Sequence, residues 1–277
     1  MEANTQKQAY SGPIQGVVLD WAGTTVDYGS MGPAAVFTEV FRKFGVEVTI
    51  AEARQFMGRE KKDHIRSMCR LPEIADRWRL VHGTPPDEDD VDALYAETEP
   101  MMIKALEKHS ELIPGLTETV ATLRRKKIKI GSCTGYTASM MQVLVPAASA
   151  QGYTPDAVVC SSDVPQGRPL PWMCFLNAIR LQIYPMEGMV KIGDTISDIA
   201  EGLNAGMWTI GLTRSGNELG LAQEEAEQMA PRDLSRRLES VRQRYRDAGA
   251  HYVVEEIWDI LPVIDAIEHR LARGEKP

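Results

Sequence analysis

The sequence predicts an α/β fold: a Rossmann-like core built on a parallel sheet, with an inserted α-helical cap domain. Three observations predict it. Short apolar runs at Gly16 to Leu19, Ile128 to Ser132, Ala157 to Cys160, Met189 to Ile192, Trp208 to Leu212 and His251 to Val254 read as buried strands. Most of these runs alternate with helical patterns, as in a parallel sheet covered on both faces. From about Met31 to Leu106 the alternation stops and only helical periodicity remains.

That interval carries two apolar stripes. Val36, Phe37, Val40, Phe41 and Phe44 form one; Leu94, Met101, Met102, Ala105 and Leu106 form much of the other. Pro72 and the run Gly83-Thr84-Pro85-Pro86 punctuate the helices between them. The expected division is a flexible tail over 1–14, a core over 15–29 and 107–277, and the helical domain over 30–106. A cleft between two such parts is a common place for a site. The polar segment Glu218 to Ala248 reads as a pair of solvated surface helices.

The chain has 277 residues, 43% of them hydrophobic and 25% charged, as expected for a folded soluble enzyme rather than a disordered chain. Its net charge of -8 argues against nucleic acid or an anionic membrane as partner. Cys69, Cys133, Cys160 and Cys174 are widely spaced, without a Cys-x-x-Cys pair, which fits a reducing cytoplasm better than a disulfide or zinc framework. Met1 to Pro13 is polar and has no signal-peptide core, and no stretch approaches a membrane span.

The chemistry concentrates at strand ends. Asp20 follows the first strand and precedes the turn Ala22-Gly23-Thr24-Thr25, where ligands gather in parallel sheets and where a carboxylate can attack phosphorus. Ser132-Cys133-Thr134-Gly135 ends the next strand and offers a hydroxyl and amides for phosphate. Gly167-Arg168-Pro169 adds a cation in a rigid turn. Gly193-Asp194-Thr195-Ile196-Ser197-Asp198 places two acids four residues apart, on one face if a helix carries both; hard oxygen ligands of this kind suit Mg²⁺. Each fragment alone also reads as an ordinary turn or helix cap.

Together, and in this order, the fragments resemble the four signature motifs of the haloacid dehalogenase superfamily. The resemblance implies Asp20 as nucleophile. It implies Mg²⁺ held by Asp20, the Ala22 carbonyl and Asp194, with Asp198 in support, and it puts Thr134 and Arg168 on the phosphoryl group. The helical insertion matches the superfamily's mobile cap.

One departure is informative. Most phosphatases of the superfamily carry a second Asp two residues after the nucleophile, as general acid for the leaving oxygen. Here that position is Ala22. The leaving group must need no such acid, or take its proton elsewhere. The insertion supplies Met57-Gly58-Arg59-Glu60-Lys61-Lys62-Asp63-His64. A lysine amine condenses with an aldehyde to an imine, which lets a neighbouring C–P bond break into an enamine. On a continuous helix Lys61 lies about 60° from His64 and about 40° from Met57, with Lys62 on nearly the opposite side from His64. If His64 assists proton transfer, Lys61 is the better candidate.

From about Gly16 to Ala266 the chain is similar to the phosphonoacetaldehyde hydrolase (phosphonatase) family. The shared stretches include Asp20 through Gly29, Met57-Gly58 with Lys61 and His64, Thr134-Gly135-Tyr136-Thr137, Gly167-Arg168-Pro169, Pro171-Trp172-Met173-Cys174 and Asn204 through Thr209. The family implies a Schiff base on Lys61, a phospho-aspartate on Asp20, and acetaldehyde and phosphate as products, within 2-aminoethylphosphonate degradation. It implies His64 as a further catalytic group, Met57, Gly58 and Tyr136 lining the substrate site, and a homodimer. Family members can carry Cys just after the Asp-Tyr-Gly run; this chain has Ser30, so a thiol there is not essential to it. Two alternatives stand beside this reading: another Mg-dependent phosphohydrolase of the superfamily, and a catalytically silent ligand-binding member.

Overall fold

The structure is a computed structural model, and it describes residues 10–277. Strand β1 (Gly16–Leu19) is followed by helices α1 (Met31–Lys43), α2 (Ile50–Arg54), α3 (Lys61–Cys69), α4 (Pro72–His82) and α5 (Glu88–Leu106). The chain then alternates: α6 (Leu116–Arg125), β2 (Lys129–Thr134), α7 (Ala138–Ala150), β3 (Ala157–Cys160), α8 (Trp172–Leu181), β4 (Met189–Gly193), α9 (Ile196–Asn204) and β5 (Trp208–Leu212). It closes with α10 (Gln223–Gln228), α11 (Pro231–Asp247), β6 (Tyr252–Val254) and α12 (Ile260–Ala272).

The six strands form one parallel sheet in the order β3-β2-β1-β4-β5-β6. The α/β parallel-sheet expectation therefore holds. After β1 the chain runs outward through β2 and β3, then returns to pair β4 on the other side of β1. That reversal opens a crevice beyond the carboxyl ends of β1 and β4. Val17, Val18 and Leu19 are fully buried, as a central strand covered on both faces requires.

Local chemistry sets the helix limits. Thr49 and Glu52 form a reciprocal capping box at α2, and Asp87 and Asp90 form one at α5. Pro72 opens α4 and Gly83 ends it in the left-handed region. The helical unit α1–α5 has its own packing: Phe37, Val40 and Phe41 of α1 meet Ile65 and Met68 of α3, Trp78 of α4 and Leu94 of α5, all fully buried. Burial of each such side chain contributes about 1.5–3 kcal/mol, and the cluster runs on into Val17, Leu19 and Ile192 of the sheet.

Several sequence expectations shift by a residue or two. β2 runs on to Thr134, and β6 begins at Tyr252. Residues 1–9 of the expected tail lie outside the described residues. Beyond them the chain is packed: Ile14 is buried and its amide donates to Glu268. The segment after Glu218 does hold two helices, but α11 buries Leu234, Leu238, Val241 and Tyr245 and is not solvated all round. All four cysteines are free and buried. No helix among the described residues is long and apolar enough to cross a membrane.

Candidate active site

Because every strand points the same way, β1, β2 and β4 deliver Asp20, Thr134 and Asp194 to one edge of the sheet. The Asp20 amide donates to Ile192 of β4 at 3.0 Å, which fixes it where the strand ends. The chain then turns tightly, with the Trp21 carbonyl accepting from Thr24, Thr25 and Val26. This turn aims Thr24 at Asp194, whose Oδ1 it meets at 3.0 Å. Asp194 Oδ2 accepts from the Asn217 amide at 2.8 Å and from Ser30 Oγ at 3.3 Å.

Arg168 occupies the centre, its side chain fully buried. Nη2 donates to Asp20 at 2.8 Å, Nη1 lies 3.1 Å from Asp198, and Nε donates to Glu201 at 2.8 Å. Lys191, inside β4, is also fully buried and lies 2.5 Å from Asp198. Charges this deep persist only when paired. The acids are Asp20, Asp194, Asp198 and Glu201, and the cations are Arg168 and Lys191. With Lys61 facing them from the opposite wall as a third cation, the four acids still outnumber the buried cations by one.

That deficit, and the donor atoms, test the fit of a divalent metal. Oxygens of Asp20, Asp194 and Asp198 lie within 4.8 Å of one another. Burial, then the charges of Asp20 and Asp198, push the Asp194 carboxyl well above its usual range. A hard dication among these oxygens relieves that repulsion, so the residues fit Mg²⁺. Asp198 plays a different part. One oxygen takes Lys191 and Arg168 and the other takes Thr195, through both its hydroxyl and its amide. With its oxygens so committed, it supports the cluster from behind. The picture of both acids on one helix is corrected: α9 starts at Ile196, Asp194 lies before it, and Asp198 is the third residue of a capping box with Thr195.

The opposite wall comes from the helical unit. Lys61 opens α3 and is 3% exposed, with Nζ 4.5 Å from the Tyr136 ring and 5.8 Å from that of Phe37. Burial lowers its pKa from 10.5 to about 8, against the opposing pull of Asp20 and Glu60. Lys62 turns outward and pairs with Asp92. Met57 is not on a helix continuous with Lys61, because the chain turns at Gly58 and α3 begins only at Lys61. Met57 still reaches the cavity, by way of this turn.

Gly58 and Gly135 mark a close approach of the two walls. A Cβ on Gly135 would fall 2.2 Å from the Arg59 carbonyl oxygen, and one on Gly58 2.5 Å from Thr195 Oγ1. The Gly58 carbonyl in turn accepts from Arg168 at 3.3 Å.

Asp20, Ala22, Met57, Gly58, Lys61, Thr134, Tyr136 and Arg168 thus line one cavity, with Ser30, Pro33, Gly135 and Thr195. Its volume is ≈ 20 Å³, about the space of one water. His64 does not line it. Its Nε2 donates to the Ala53 carbonyl at 2.7 Å, its ring stacks on Phe37 at 3.9 Å, and Nδ1 is buried without a partner. Burial, then Lys61, holds His64 well below the usual imidazole range, so it is neutral. Sequence reasoning missed Lys191 and Glu201. The signal was present: a lysine inside an apolar strand, and an acid three residues after Asp198 on the same helix face.

The fold and this cluster at the strand ends define the class, a haloacid dehalogenase-like hydrolase, and the model of that family matches residues 14–206. The similarity to known proteins runs further. A phosphonoacetaldehyde hydrolase-like protein of Syntrophobacter fumaroxidans is 55% identical over 277 residues, 100% of both chains. A phosphonoacetaldehyde hydrolase of Nitratidesulfovibrio vulgaris is 53% identical, covering 100% of this chain and 99% of its own. The crystal structure of a phosphonoacetaldehyde hydrolase-like protein from Oleispira antarctica, 42% identical, superposes with a TM-score of 0.96 over 100% of this chain and 99% of that one. The chain belongs to the phosphonoacetaldehyde hydrolase family.

Proposed function

We propose that this protein hydrolyses the C–P bond of phosphonoacetaldehyde to acetaldehyde and phosphate, as a step in phosphonate breakdown. One observation carries the reading: a buried lysine of lowered pKa and a strand-end aspartate share a single small cavity from opposite walls. Residues 30–106 act as the cap, and 15–29 with 107–277 as the core. The cavity is too small for the substrate, so the cap opens to admit it.

The Lys61 amine adds to the aldehyde and loses water to give an imine. Proton transfers around Lys61 fall to His64, whose neutral ring keeps a free Nδ1. Closure brings the phosphonate against Arg168 and Thr134, while Met57, Gly58 and Tyr136 enclose the carbon end. Asp20, the Ala22 carbonyl and Asp194 would hold Mg²⁺, which would supply Lewis-acid neutralisation of the phosphonate charge. Asp20 attacks phosphorus in line, and the C–P electron pair moves into the protonated imine to give an enamine on Lys61. No acid is needed at Ala22, because the leaving carbon is stabilised through nitrogen. Water cleaves the aspartyl phosphate. The enamine is protonated at carbon, and a second water releases acetaldehyde and restores Lys61.

The test is acetaldehyde release, coupled to alcohol dehydrogenase and NADH, with and without Mg²⁺. Metal-dependent turnover is expected. Its absence in folded, Mg²⁺-supplied protein, together with turnover of a phosphomonoester, would replace this reading by the ordinary phosphohydrolase one. We further propose a cytoplasmic homodimer, to be checked by light scattering of the purified chain.

A further inference from the structure

Arg54 is the last residue of α2 and reaches from the helical unit into the core. Its Nη1 donates to the Gly29 carbonyl at 2.8 Å and to Asn217 Oδ1 at 2.9 Å, and its Nη2 donates to the Gly220 carbonyl at 3.5 Å. Asn217 Nδ2 donates back to the Arg54 carbonyl at 3.4 Å. Two of these partners lead directly to the site. The Asn217 amide is a hydrogen-bond donor to Asp194, at 2.8 Å. Gly29 lies on the connection between β1 and α1, and its amide is bonded to Ser215 at 2.7 Å.

Opening the cavity must break the polar contacts that cross between the two units. Gly58 with Arg168 is one, and Glu99 of α5 with Thr137 and Ser139 is another. Arg54 differs from both. It grips the inter-unit connection and the loop after β5 at once, and that loop supplies a bond to Asp194.

We infer that Arg54 is a positioning residue that couples closure of the helical unit to the Asp194 carboxylate through Asn217. When the units close, Arg54 pins Asn217 and the Asn217 amide stays on Asp194. When they part, water replaces Arg54 and the 213–220 loop is released. The inference rests on the proposed hydrolysis, in which Lys61 captures the aldehyde on one unit and phosphoryl transfer occurs on the other. Arg54 then governs the second step and leaves the first alone.

The experiment uses the full chain with Arg54→Ala, Arg54→Lys, Asn217→Ala and the Arg54→Ala/Asn217→Ala pair. Acetaldehyde release is compared with borohydride trapping of the Lys61 imine. Arg54→Ala should lower kcat by about 10- to 100-fold, with trapping retained within about twofold. Arg54→Lys should recover part of the loss, because one ammonium cannot reproduce the fork. The double variant should be no worse than the more impaired single one, as for residues on one path. Arg54→Ala turnover within about twofold of the parent, fully additive losses, or trapping that falls in step with turnover would each overturn the inference.

A second readout needs no substrate. Spin labels on Leu80→Cys and Ile179→Cys, at exposed positions of α4 and α8, report the separation of the units, and the native cysteines are buried. Arg54→Ala should shift the distance distribution to longer values, and an unchanged distribution would refute the clamp. A parent protein that fails to turn over phosphonoacetaldehyde yet shows this shift would count against the proposed function alone.

Discussion

Lys61 and Lys191 are both buried, and their surroundings drive them in opposite directions. Lys191 sits in β4 beside Asp198 and Glu201. Burial and Arg168 push its pKa down, but the neighbouring acids outweigh them and the net shift is upward, so it remains a fixed cation. Lys61 has aromatic rings for neighbours and no bonded carboxylate, and burial brings it to about 8. The contrast teaches what each wall is for. The core wall holds charge of both signs in place, as electrostatic stabilisation of a phosphoryl group requires. The helical wall keeps an amine able to lose its proton, as an imine-forming nucleophile requires.

Four experiments can break or sharpen this division. The largest effect is expected from Asp20→Asn, which should cut turnover by roughly 10⁴-fold or more, as for loss of a nucleophile. Borohydride trapping of Lys61 should survive in that variant, and loss of both would show that the walls do not act separately. Next is Lys191→Met. It leaves Asp198 and Glu201 short of a counter-charge and should cost about 3–5 kcal/mol in urea unfolding. A cost under about 1 kcal/mol would mean that Arg168 alone neutralises the acids.

Lys61→Met should have the opposite sign. Below pH 8 the parent bears the cost of a buried ammonium, so the variant should gain up to about 3 kcal/mol at pH 7 while losing turnover. The parent's folded-state pKa is depressed, so between about 8 and 10.5 its unfolded chain binds more protons. Parent stability should therefore rise with pH across that window, and the variant should lack this rise. The smallest effect is kinetic: the rate of Lys61 trapping should climb about tenfold from pH 7 to pH 9 as the free amine appears. A flat profile would place the amine's pKa outside that range and weaken the contrast with Lys191.

Much of the fold was legible because each strand is an apolar run between turn signals, and parallel strands bring their ends to one edge. That logic gathers Asp20, Thr134 and Asp194 from the sequence alone. What stayed hidden depends on contacts between distant segments. The run Met189 to Ile192 reads as apolar although Lys191 lies within it, and only the fold shows the acids that permit it. Periodicity alone sets Met57 on a helix with Lys61, because it does not register the turn at Gly58. His64 does not itself line the cavity, because the Ala53 carbonyl and the Phe37 ring hold it, and its proposed part in proton transfer is played through its neighbour Lys61. Arg54 and Asn217 look like ordinary surface polar residues until the two units meet.

The seam at Gly58 and Gly135 carries a consequence for anyone who wants to stop this molecule mid-cycle. Peptide backbone meets peptide backbone there, and neither side can swing away as a long side chain could. A single methyl group, as in Gly135→Ala, would act as a shim 2.2 Å from the Arg59 oxygen and hold the jaws ajar. Such a variant should keep its grip on aldehydes yet lose the second half of the cycle, a trap for carbonyl compounds made from a hydrolase by adding one carbon atom.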